Sequence, residues 1–425
     1  MISKTVFINN DQATSAITGI YSSMANSTNF ASGGNASVTC LSGASADEFV
    51  AYSTLNLLFY ENDLIPEYGN IESIYSSAYR SIYSANSVLE GLSGENGVTP
   101  ATKMQLEGEA LFIRAFCYFY LVNLYGPVPL QLTTDNTVTQ IASRSPEAEI
   151  YKQIVKDLTS AETLLSESYP SAGKVRPNKS TAHALLARTY LYLKDWDNAE
   201  KFATQVIVRK PTYDLIDPNA VFLANSQEAI WQIMPPANSN TNEGSLFILT
   251  ATPLVISLTS NFANTAFEAN DKRKTAWVKS FTNNTGTYYY PNKYKVRSST
   301  TVTEYSMVFR LAEQYLIRAE ARAEKNNLEG SIEDLDKIRD RGGLPLIKNT
   351  NPGINKTSLL TAIQKERRIE LFSEWGHRWL DLKRSGFTTE VLKPIKSKWQ
   401  ATDVLYPIPT NERNRNLNIS QNDGY

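Results

Sequence analysis

The feature that most constrains the fold is a pair of helical patterns, joined by a short polar turn, between Ser180 and Val208. Small and apolar residues recur at spacings of three and four on both sides of the turn LKDWDN, namely at Ala184, Ala187, Leu191, Ala199, Ala203 and Val206. Counted from Ser180, the segment also fits the 34-residue tetratricopeptide pattern, including its closing Pro211. Such a hairpin buries its apolar face only against neighbours, so the sequence predicts a helical scaffold.

Other segments carry the same helical period with looser matches. A second hairpin covers LAEQYLIRAEARAEKNNLEGSIEDLDKIRDR, and its repeat is less regular than the first. We predict a mainly α protein with a single domain over residues 1–425, in which the helical scaffold occupies approximately 71–124, 146–211, 305–341 and 356–384. Short strands, such as the run AIWQIM, are expected beside the helices.

Two regions between the helical segments, approximately 26–70 and 235–304, are rich in Ser, Thr, Asn and Gly. We predict them to be long loops on one face of the scaffold. Loops of this length in a compact protein tend to be functional. The second region also carries tryptophan and several tyrosines, and asparagine with aromatic rings suits a polyhydroxylated ligand.

Charge and residue scarcity exclude several function classes. The chain has 42 Lys plus Arg against 43 Asp plus Glu, and a net charge of -1 supplies no electrostatic attraction for nucleic acid or anionic membrane. Two histidines and two cysteines are too few for a His-rich or all-cysteine zinc site or an iron-sulfur cluster.

Cys117, within RAFCYFYLV, is predicted to be a buried apolar residue. No run approaches the roughly 18 apolar residues of a membrane span.

The sequence offers little support for catalysis, so we predict a protein that is not an enzyme. Glu366 and Glu370 share one helix face with arginines, which favours packed ion pairs over a glycosidase pair of carboxylates. There is no Gly-rich phosphate loop and no histidine near a nucleophilic serine motif. His183 and His377 are interpreted as packed structural residues.

Several stretches in order resemble one known family. They are DQATSAITGIYSSM, NIESIYSSAYRSIYSANSVLEGL, EGEALFIRAFCYFYLVNLYGPVPL, RPNKSTAHALLARTYLYLKDWDNA, FRLAEQYLIRAEARAE, IRDRGGLP, ERRIELFSEWGHRWLDLKRSG and YPIPTNERNRNLNISQNDGY. Together they are similar to the SusD/RagB family of surface glycan-binding lipoproteins in Bacteroidetes nutrient-uptake systems. The resemblance covers most of the chain, and it departs from the family pattern at Pro127 and Asp423.

The resemblance implies a SusD-like helical scaffold and a non-catalytic protein that captures oligosaccharide or polysaccharide fragments. The resemblance also implies that the protein delivers these fragments to a SusC-like, TonB-dependent outer-membrane transporter. The expected location is the cell-surface side of the outer membrane. The lipid anchor would belong to the precursor, since signal and lipid cysteine are not in this sequence. The alternatives are a peptide-capturing member of the same family and an intracellular tetratricopeptide scaffold that binds a protein partner.

The candidate ligand-binding residues come from the two loop regions. Trp277 and Tyr288, with the adjacent Tyr289, are the candidates for an aromatic platform, because no clear helical period surrounds them. In the family the loop before the Tyr-rich helix also builds the site, and the matching residues here are Asp47, Tyr52, Asn62 and Tyr68. No cofactor is predicted. Calcium, which some members bind, would need an oxygen cluster that spacing does not locate.

Overall fold

The protein is mainly α-helical in a computed structural model that describes residues 7–94 and 96–425, which confirms the predicted fold class. The helices are α1 Asn10–Met24, α2 Val38–Ser45, α3 Thr54–Glu61, α4 Gly69–Ser93, α5 Pro100–Tyr125, α6 Asn136–Thr139, α7 Glu147–Leu164, α8 Lys179–Tyr192, α9 Trp196–Ile207, α10 Asn242–Phe247, α11 Ser260–Thr265, α12 Lys272–Trp277, α13 Leu311–Glu324, α14 Leu328–Gly342, α15 Ile347–Thr350, α16 Lys356–Leu371, α17 His377–Ser385, α18 Thr388–Leu392 and α19 Thr410–Arg415.

The strands are short. They are β1 Phe49–Ala51, β2 Val128–Pro129, β3 Arg144–Ser145, β4 Ala229–Ile233, β5 Ile256–Leu258, β6 Val278–Asn283, β7 Gly286–Pro291 and β8 Ser306–Arg310. β1, β5, β7 and β6 form a four-stranded sheet in that order, while β2 pairs with β3 and β4 with β8. β4 is the strand expected from the run AIWQIM.

The scaffold is a stack of paired helices. α8 packs on α9, α9 on α13, and α13 on both α14 and α16. α8 begins where the Asn178 side chain accepts the N–H of Thr181, whose hydroxyl reciprocates at the Asn178 N–H, so the first turn is capped from both sides. α9 begins with a single cap, in which the Asp195 side chain accepts the N–H of Asn198. The Asp195 cap stabilises the turn between the two helices of the pair that the sequence predicts.

α5 runs through the centre of the molecule between α4 and α7. Its residues from Phe112 to Tyr125 are buried all round, and Cys117 among them is completely buried, as predicted. The Phe116 ring lies 5.2 Å from that of Trp231 and 5.5 Å from that of Trp375, both edge-on. Rings from three distant parts of the chain therefore meet at this helix, and their burial supplies much of the hydrophobic stabilisation of the scaffold.

The helical segment predicted at 356–384 is interrupted in the structure. α16 ends at Leu371 and α17 begins at His377. Between them Ser373, Trp375 and Gly376 have positive φ angles of 54°, 48° and 68°. The break directs the indole of Trp375 inward, where its Nε1 donates to the Met307 carbonyl at 2.7 Å. A tertiary contact thus outweighs the local helical period.

The region 235–304 is more regular than the predicted long loop. It contains α10, α11, α12 and β5, and β6 and β7 pair as an antiparallel hairpin from Val278↔Pro291 to Asn283↔Gly286. The polar composition concealed the hairpin because its outward positions are solvated, so alternation of apolar residues is weak. Over the residues that the structure describes, no helix combines the length and the apolar character needed to span a membrane.

Candidate functional site

A polar groove lies between the loop that follows α1 and the segments on either side of α10. It consists of two adjoining cavities of about 370 and 760 Å³, which share Ser27, Asn242, Ser245 and Arg297. Concave sites of this size are typical of small-ligand binding. The lining residues, called the groove below, are 25–27, 34–35, 236, 238–240, 242, 245–246, 248–256 and 297–300.

The groove is lined by amides, hydroxyls and a few apolar side chains. Arg297 is the one charged residue among those that line it, in a chain of which 20% of the residues are charged. Leu254 projects at the rim with 81% of its surface exposed. Amides and hydroxyls can donate and accept hydrogen bonds, and the apolar rim offers a surface for C–H groups. The arrangement fits a ligand that alternates hydroxyl groups with apolar faces.

Asparagine side chains hold the walls of the groove together. The Asn242 Nδ2 donates to the carbonyls of Ala25 and Ser32, at 3.1 and 3.0 Å, and so joins α10 to the loop after α1. Asn240 donates to the carbonyls of Ser299 and Thr301 at 3.2 and 3.0 Å. Because these amides are engaged with backbone groups, they shape the groove instead of being free for a ligand.

The side-chain amide of Asn35, on the groove wall, has N–H groups that can donate to a ligand. Its Oδ1 accepts from the Asn56 Nδ2 at 2.7 Å. Among the described residues, no acceptor pairs with the Asn35 Nδ2. The Asn56 bond fixes the amide orientation, so the two N–H groups of Asn35 are available to a ligand oxygen.

Two tyrosines form an aromatic pair beside the groove. The rings of Tyr52 and Tyr288 are edge-to-face, with centroids 6.1 Å apart. The Tyr52 N–H donates to the carbonyl of Val255, a groove residue, at 2.9 Å, and its hydroxyl lies 3.0 Å from the Ser257 Oγ. Tyr52 is 41% exposed and Tyr288 is partly exposed. Tyr52 is thus joined to the groove wall through Val255, and Tyr288 lies beside Tyr52.

A buried carboxyl lies beneath the groove. Glu243 is 3% exposed and accepts a hydrogen bond from the Ser306 hydroxyl. Burial raises the pKa of Glu243 from 4.5 to about 7. Gly33, with φ of +72°, packs directly on this carboxyl, since a Cβ there would stand 2.0 Å from the Glu243 Cδ. The close packing ties the loop after α1 to α10.

The structure contradicts the prediction that Trp277 is a ligand platform. Trp277 ends α12 with none of its surface exposed, and its Nε1 donates to the Pro218 carbonyl at 2.8 Å. The ammonium of Lys293 lies 4.6 Å from its ring centroid, with the guanidinium of Arg341 at 5.5 Å. A ring whose faces are covered by protein cations cannot stack on a ligand, so Trp277 is a core residue.

Asp47 and Asn62 are also engaged inside the protein. The Asp47 carboxylate accepts from Arg378 at 2.7 Å and Arg368 at 2.8 Å. Burial alone would raise the pKa of Asp47, but the two guanidiniums hold it below its ordinary value. The Asn62 Oδ1 accepts from the buried Lys396 ammonium at 2.6 Å, and Asn62 is 2% exposed. The structure contradicts a direct ligand-binding role for Asn62, and Asp47 is an ion-pair centre outside the groove.

Tyr68 and Tyr289 are half-buried against the hydrophobic core. Tyr68 precedes α4 and its ring lies 6.1 Å from that of Phe59. Tyr289 lies on the strand β7 next to Tyr288, and successive strand residues point to opposite faces of a sheet. Neither residue lines the groove. Their ligand contacts stay a prediction, as do those of Tyr52 and Tyr288.

The charged positions that could suggest an enzyme form a buried network away from the groove. Arg310 contacts Glu228 at 2.8 Å, Glu370 at 2.5 Å and Glu374 at 2.8 Å. Although burial opposes ionisation, arginines hold the pKa of Glu370 well below its ordinary value. The prediction of packed ion pairs around Glu370 is therefore confirmed. Where the structure describes side chains, no group of three or more His, Cys, Asp or Glu could hold a metal ion.

The groove residues lie almost entirely within the two loop-rich regions, but its most distinctive side chains were not among the predicted site residues. Arg297, Asn35 and Leu254 were not predicted, although all lie in or beside the Ser-, Thr- and Asn-rich stretches. A usable signal existed in the segment KVRSSTT, where an arginine stands among hydroxyl residues with no acidic neighbour. The segments lie far apart in sequence, so only the fold shows which of these residues share a surface.

Two family models together match most of the chain. The model described as starch-binding associating with outer membrane matches residues 5–191, and that of the SusD family matches residues 231–425. SusD-like protein P2 of Formosa agariphila is 26% identical over 84% of this chain and 81% of its own length. SusD-like protein P38 of the same organism is 26% identical over 86% and 82%.

Solved structures share the fold at low identity. A SusD superfamily protein from Bacteroides vulgatus superposes with a TM-score of 0.88 and 22% identity over 98% of this chain and 99% of its own. A protein described as a laminarin-binding SusD-like protein superposes with a TM-score of 0.81 and 22% identity over 98% and 100%.

Proposed function

The chain belongs to the SusD/RagB family, and from this premise we propose that it is a non-catalytic cell-surface protein that captures oligosaccharide or polysaccharide fragments. In this proposal it delivers them to a SusC-like, TonB-dependent transporter in the outer membrane. A lipid anchor would hold it on the outer face. The description of the first family model, starch-binding associating with outer membrane, supports both the ligand class and the location.

The observation that carries the proposal is the groove with its neighbouring tyrosine pair. Sugar hydroxyls need donors and acceptors, and the groove offers Asn35, Asn238 and a row of Ser and Thr side chains. The axial C–H faces of a sugar are apolar, and the pair Tyr52 and Tyr288 offers aromatic surface beside the groove. The laminarin-binding neighbour, which shares the fold, lends further support.

The scaffold and network argue for binding without bond cleavage. The buried carboxylates Glu228, Glu366 and Glu370 have almost no exposure and are paired with arginines, so they cannot flank a glycosidic bond. The groove contributes no carboxylate. A ligand held there would make hydrogen bonds and ring contacts and would leave unchanged.

A binding screen with matched tyrosine variants tests this function. The chain should be retarded in native gels that contain its polysaccharide, with laminarin in the panel. Tyr52→Ala and Tyr288→Ala should each weaken binding about tenfold through loss of aromatic contact. Tyr83→Ala is the control, because Tyr83 on α4 is 40% exposed, nearly the same as Tyr52 at 41%, and lines no part of the groove.

The outcomes separate the rival functions. Absence of retardation by every polysaccharide, with heat released on titration of a peptide mixture, would replace the proposal by peptide capture. Equal losses in all three tyrosine variants would move the ligand away from the groove. An intracellular tetratricopeptide scaffold would bind neither ligand class, and the family matches on both halves of the chain count against it.

Delivery to the transporter needs a separate measurement in the native host. A strain without this chain should import a fluorescently labelled polysaccharide more slowly than the parent strain. The wild-type chain should restore uptake, while a chain with both Tyr52→Ala and Tyr288→Ala should not. Uptake that does not change in the deletion strain would contradict delivery and leave binding intact.

A further inference from the structure

Arg297 is a free cation in an otherwise uncharged groove. It is exposed and contributes to both cavities. Over residues 7–94 and 96–425, no carboxylate pairs with it and no aromatic ring lies against it. Most other arginines near the loop regions have acidic partners, as Arg368 and Arg378 have in Asp47.

Two carboxylates near this segment are buried. Glu304 is 1% exposed and accepts the backbone N–H groups of Lys295 and Val296, at 2.6 and 3.1 Å. Glu243 is buried beneath the groove, and its hydroxyl partner is Ser306. Neither carboxylate reaches the groove surface, so the charge of Arg297 is neutralised by no protein group there.

From this geometry we infer that the captured glycan is acidic, and that Arg297 binds its carboxylate or sulfate substituents. The inference rests on the proposed glycan-binding function and names the ligand class. A guanidinium has five donors and no acceptor, and its planar fork matches two oxygens of a carboxylate or sulfate. Uronic acid carboxylates and sulfate esters share this chemistry.

An uncharged lining strengthens the preference for an acidic ligand. A carboxylate in the groove would repel an anionic polymer and would pair with Arg297, and none is present among its lining residues. The amides and hydroxyls around Arg297 bind sugar hydroxyls without regard to charge. Arg297 alone therefore distinguishes an acidic glycan from a neutral one of the same shape.

A second cavity with several cations is a weaker site for an anion. It is lined by Lys365, Arg368, Arg378 and Arg384, with Asp381. Each of these cations already has a carboxylate within 3.2 Å. An anionic ligand there would have to compete with protein carboxylates already in place.

The test compares polymers that differ only in charge. Calorimetry would measure binding of polygalacturonate against its methyl-esterified form, and of κ-carrageenan against its desulfated form. The first pair reports on carboxylates and the second on sulfates. We expect at least one acidic polymer to bind roughly tenfold more tightly than its neutral form, and added sodium chloride to reduce that difference.

Three variants connect the difference to Arg297. Arg297→Gln should remove the preference, so that the acidic polymer binds no more tightly than its neutral form. Arg297→Lys should keep part of the preference, because the charge stays while the bidentate fork is lost. Lys279→Gln, at an exposed cation on β6 outside the groove, is the control and should behave as wild type.

The failures are distinguishable. Equal binding of the acidic and neutral forms, or a preference that persists in Arg297→Gln, would overturn the acidic-ligand inference and leave glycan capture standing. Binding to a neutral polysaccharide and to no acidic one would also overturn the acidic-ligand inference and leave glycan capture standing. Failure to bind any polysaccharide would overturn both this inference and the proposed function.

Discussion

Replacement of Trp277 by alanine should destabilise the protein and leave glycan affinity unchanged. The indole is completely buried and donates to the Pro218 carbonyl at 2.8 Å. Its ring lies 5.9 Å from that of Phe222, edge-on. The side chain also borders the cations Lys293 and Arg341, which lie 4.6 and 5.5 Å from its centroid. The substitution removes a central packing element beside a charged network.

The magnitude follows from the burial. A tryptophan buries about 200 Å², and at roughly 25 cal/mol per Å² this amounts to about 5 kcal/mol of transfer free energy. Alanine retains a small part of that area, while the cavity and the lost cation–π contacts with Lys293 and Arg341 add to the cost. We expect Trp277→Ala to lower the free energy of unfolding by about 4–5 kcal/mol.

Urea denaturation followed by far-ultraviolet circular dichroism measures the change without relying on tryptophan fluorescence. Trp277→Phe keeps a ring and loses the donor to Pro218, so its loss should be smaller, about 2 kcal/mol. Glycan affinity, measured at urea concentrations where each variant is folded, should equal that of wild type. A loss of affinity with less than about 1 kcal/mol of destabilisation would refute the reasoning and restore Trp277 as a ligand platform.

Three further substitutions test the groove floor and the network. Glu243→Gln should raise stability by up to about 3 kcal/mol at pH 8 and little at pH 5. Since the pKa of Glu243 is about 7 in the fold and 4.5 otherwise, wild-type stability falls as pH rises between these values; a slope that persists in the variant would contradict this. Gly33→Ala should destabilise by more than about 1 kcal/mol in denaturation, because the position has φ of +72° and its new Cβ would meet Glu243; a neutral result would contradict the packing. Arg310→Met should cost about 3–5 kcal/mol by leaving buried carboxylates uncompensated, and calorimetric melting that matches wild type would show that the network is dispensable.

The scaffold was predictable because its signals are local. The spacing of small residues after Ser180 and the polar turn before Trp196 define α8 and α9 within a few residues. The break between α16 and α17 was not predictable, because Trp375 is drawn inward by the Met307 carbonyl, 68 residues away. Local periodicity carries no information about such a distant acceptor.

The site was less predictable because burial depends on partners that the local sequence does not show. Trp277 stands in the polar run KRKTAWVKS and has the composition of an exposed platform. Its partners Lys293, Arg310 and Arg341 are supplied by other segments, and they convert it into a core residue. The prediction for Asn62 is wrong for the same reason, since its buried partner Lys396 lies 334 residues away in sequence.

The asparagine side chains of the groove differ in whether their amides are engaged within the protein. The Asn242 amide donates to backbone carbonyls 217 and 210 residues away in sequence, and these bonds fix the relative position of the groove walls. Asn35 and Arg297 keep donor groups that pair with no group among the described residues, and Tyr52 and Tyr288 keep exposed ring surface. A substitution at Asn242 should therefore weaken every glycan alike by altering the walls. One at Arg297 should weaken acidic glycans more than neutral ones and reduce the salt dependence of binding. The composition of the loops does not distinguish an asparagine that is engaged with the backbone from one whose donors are unpaired. Only the tertiary hydrogen bonds distinguish the two.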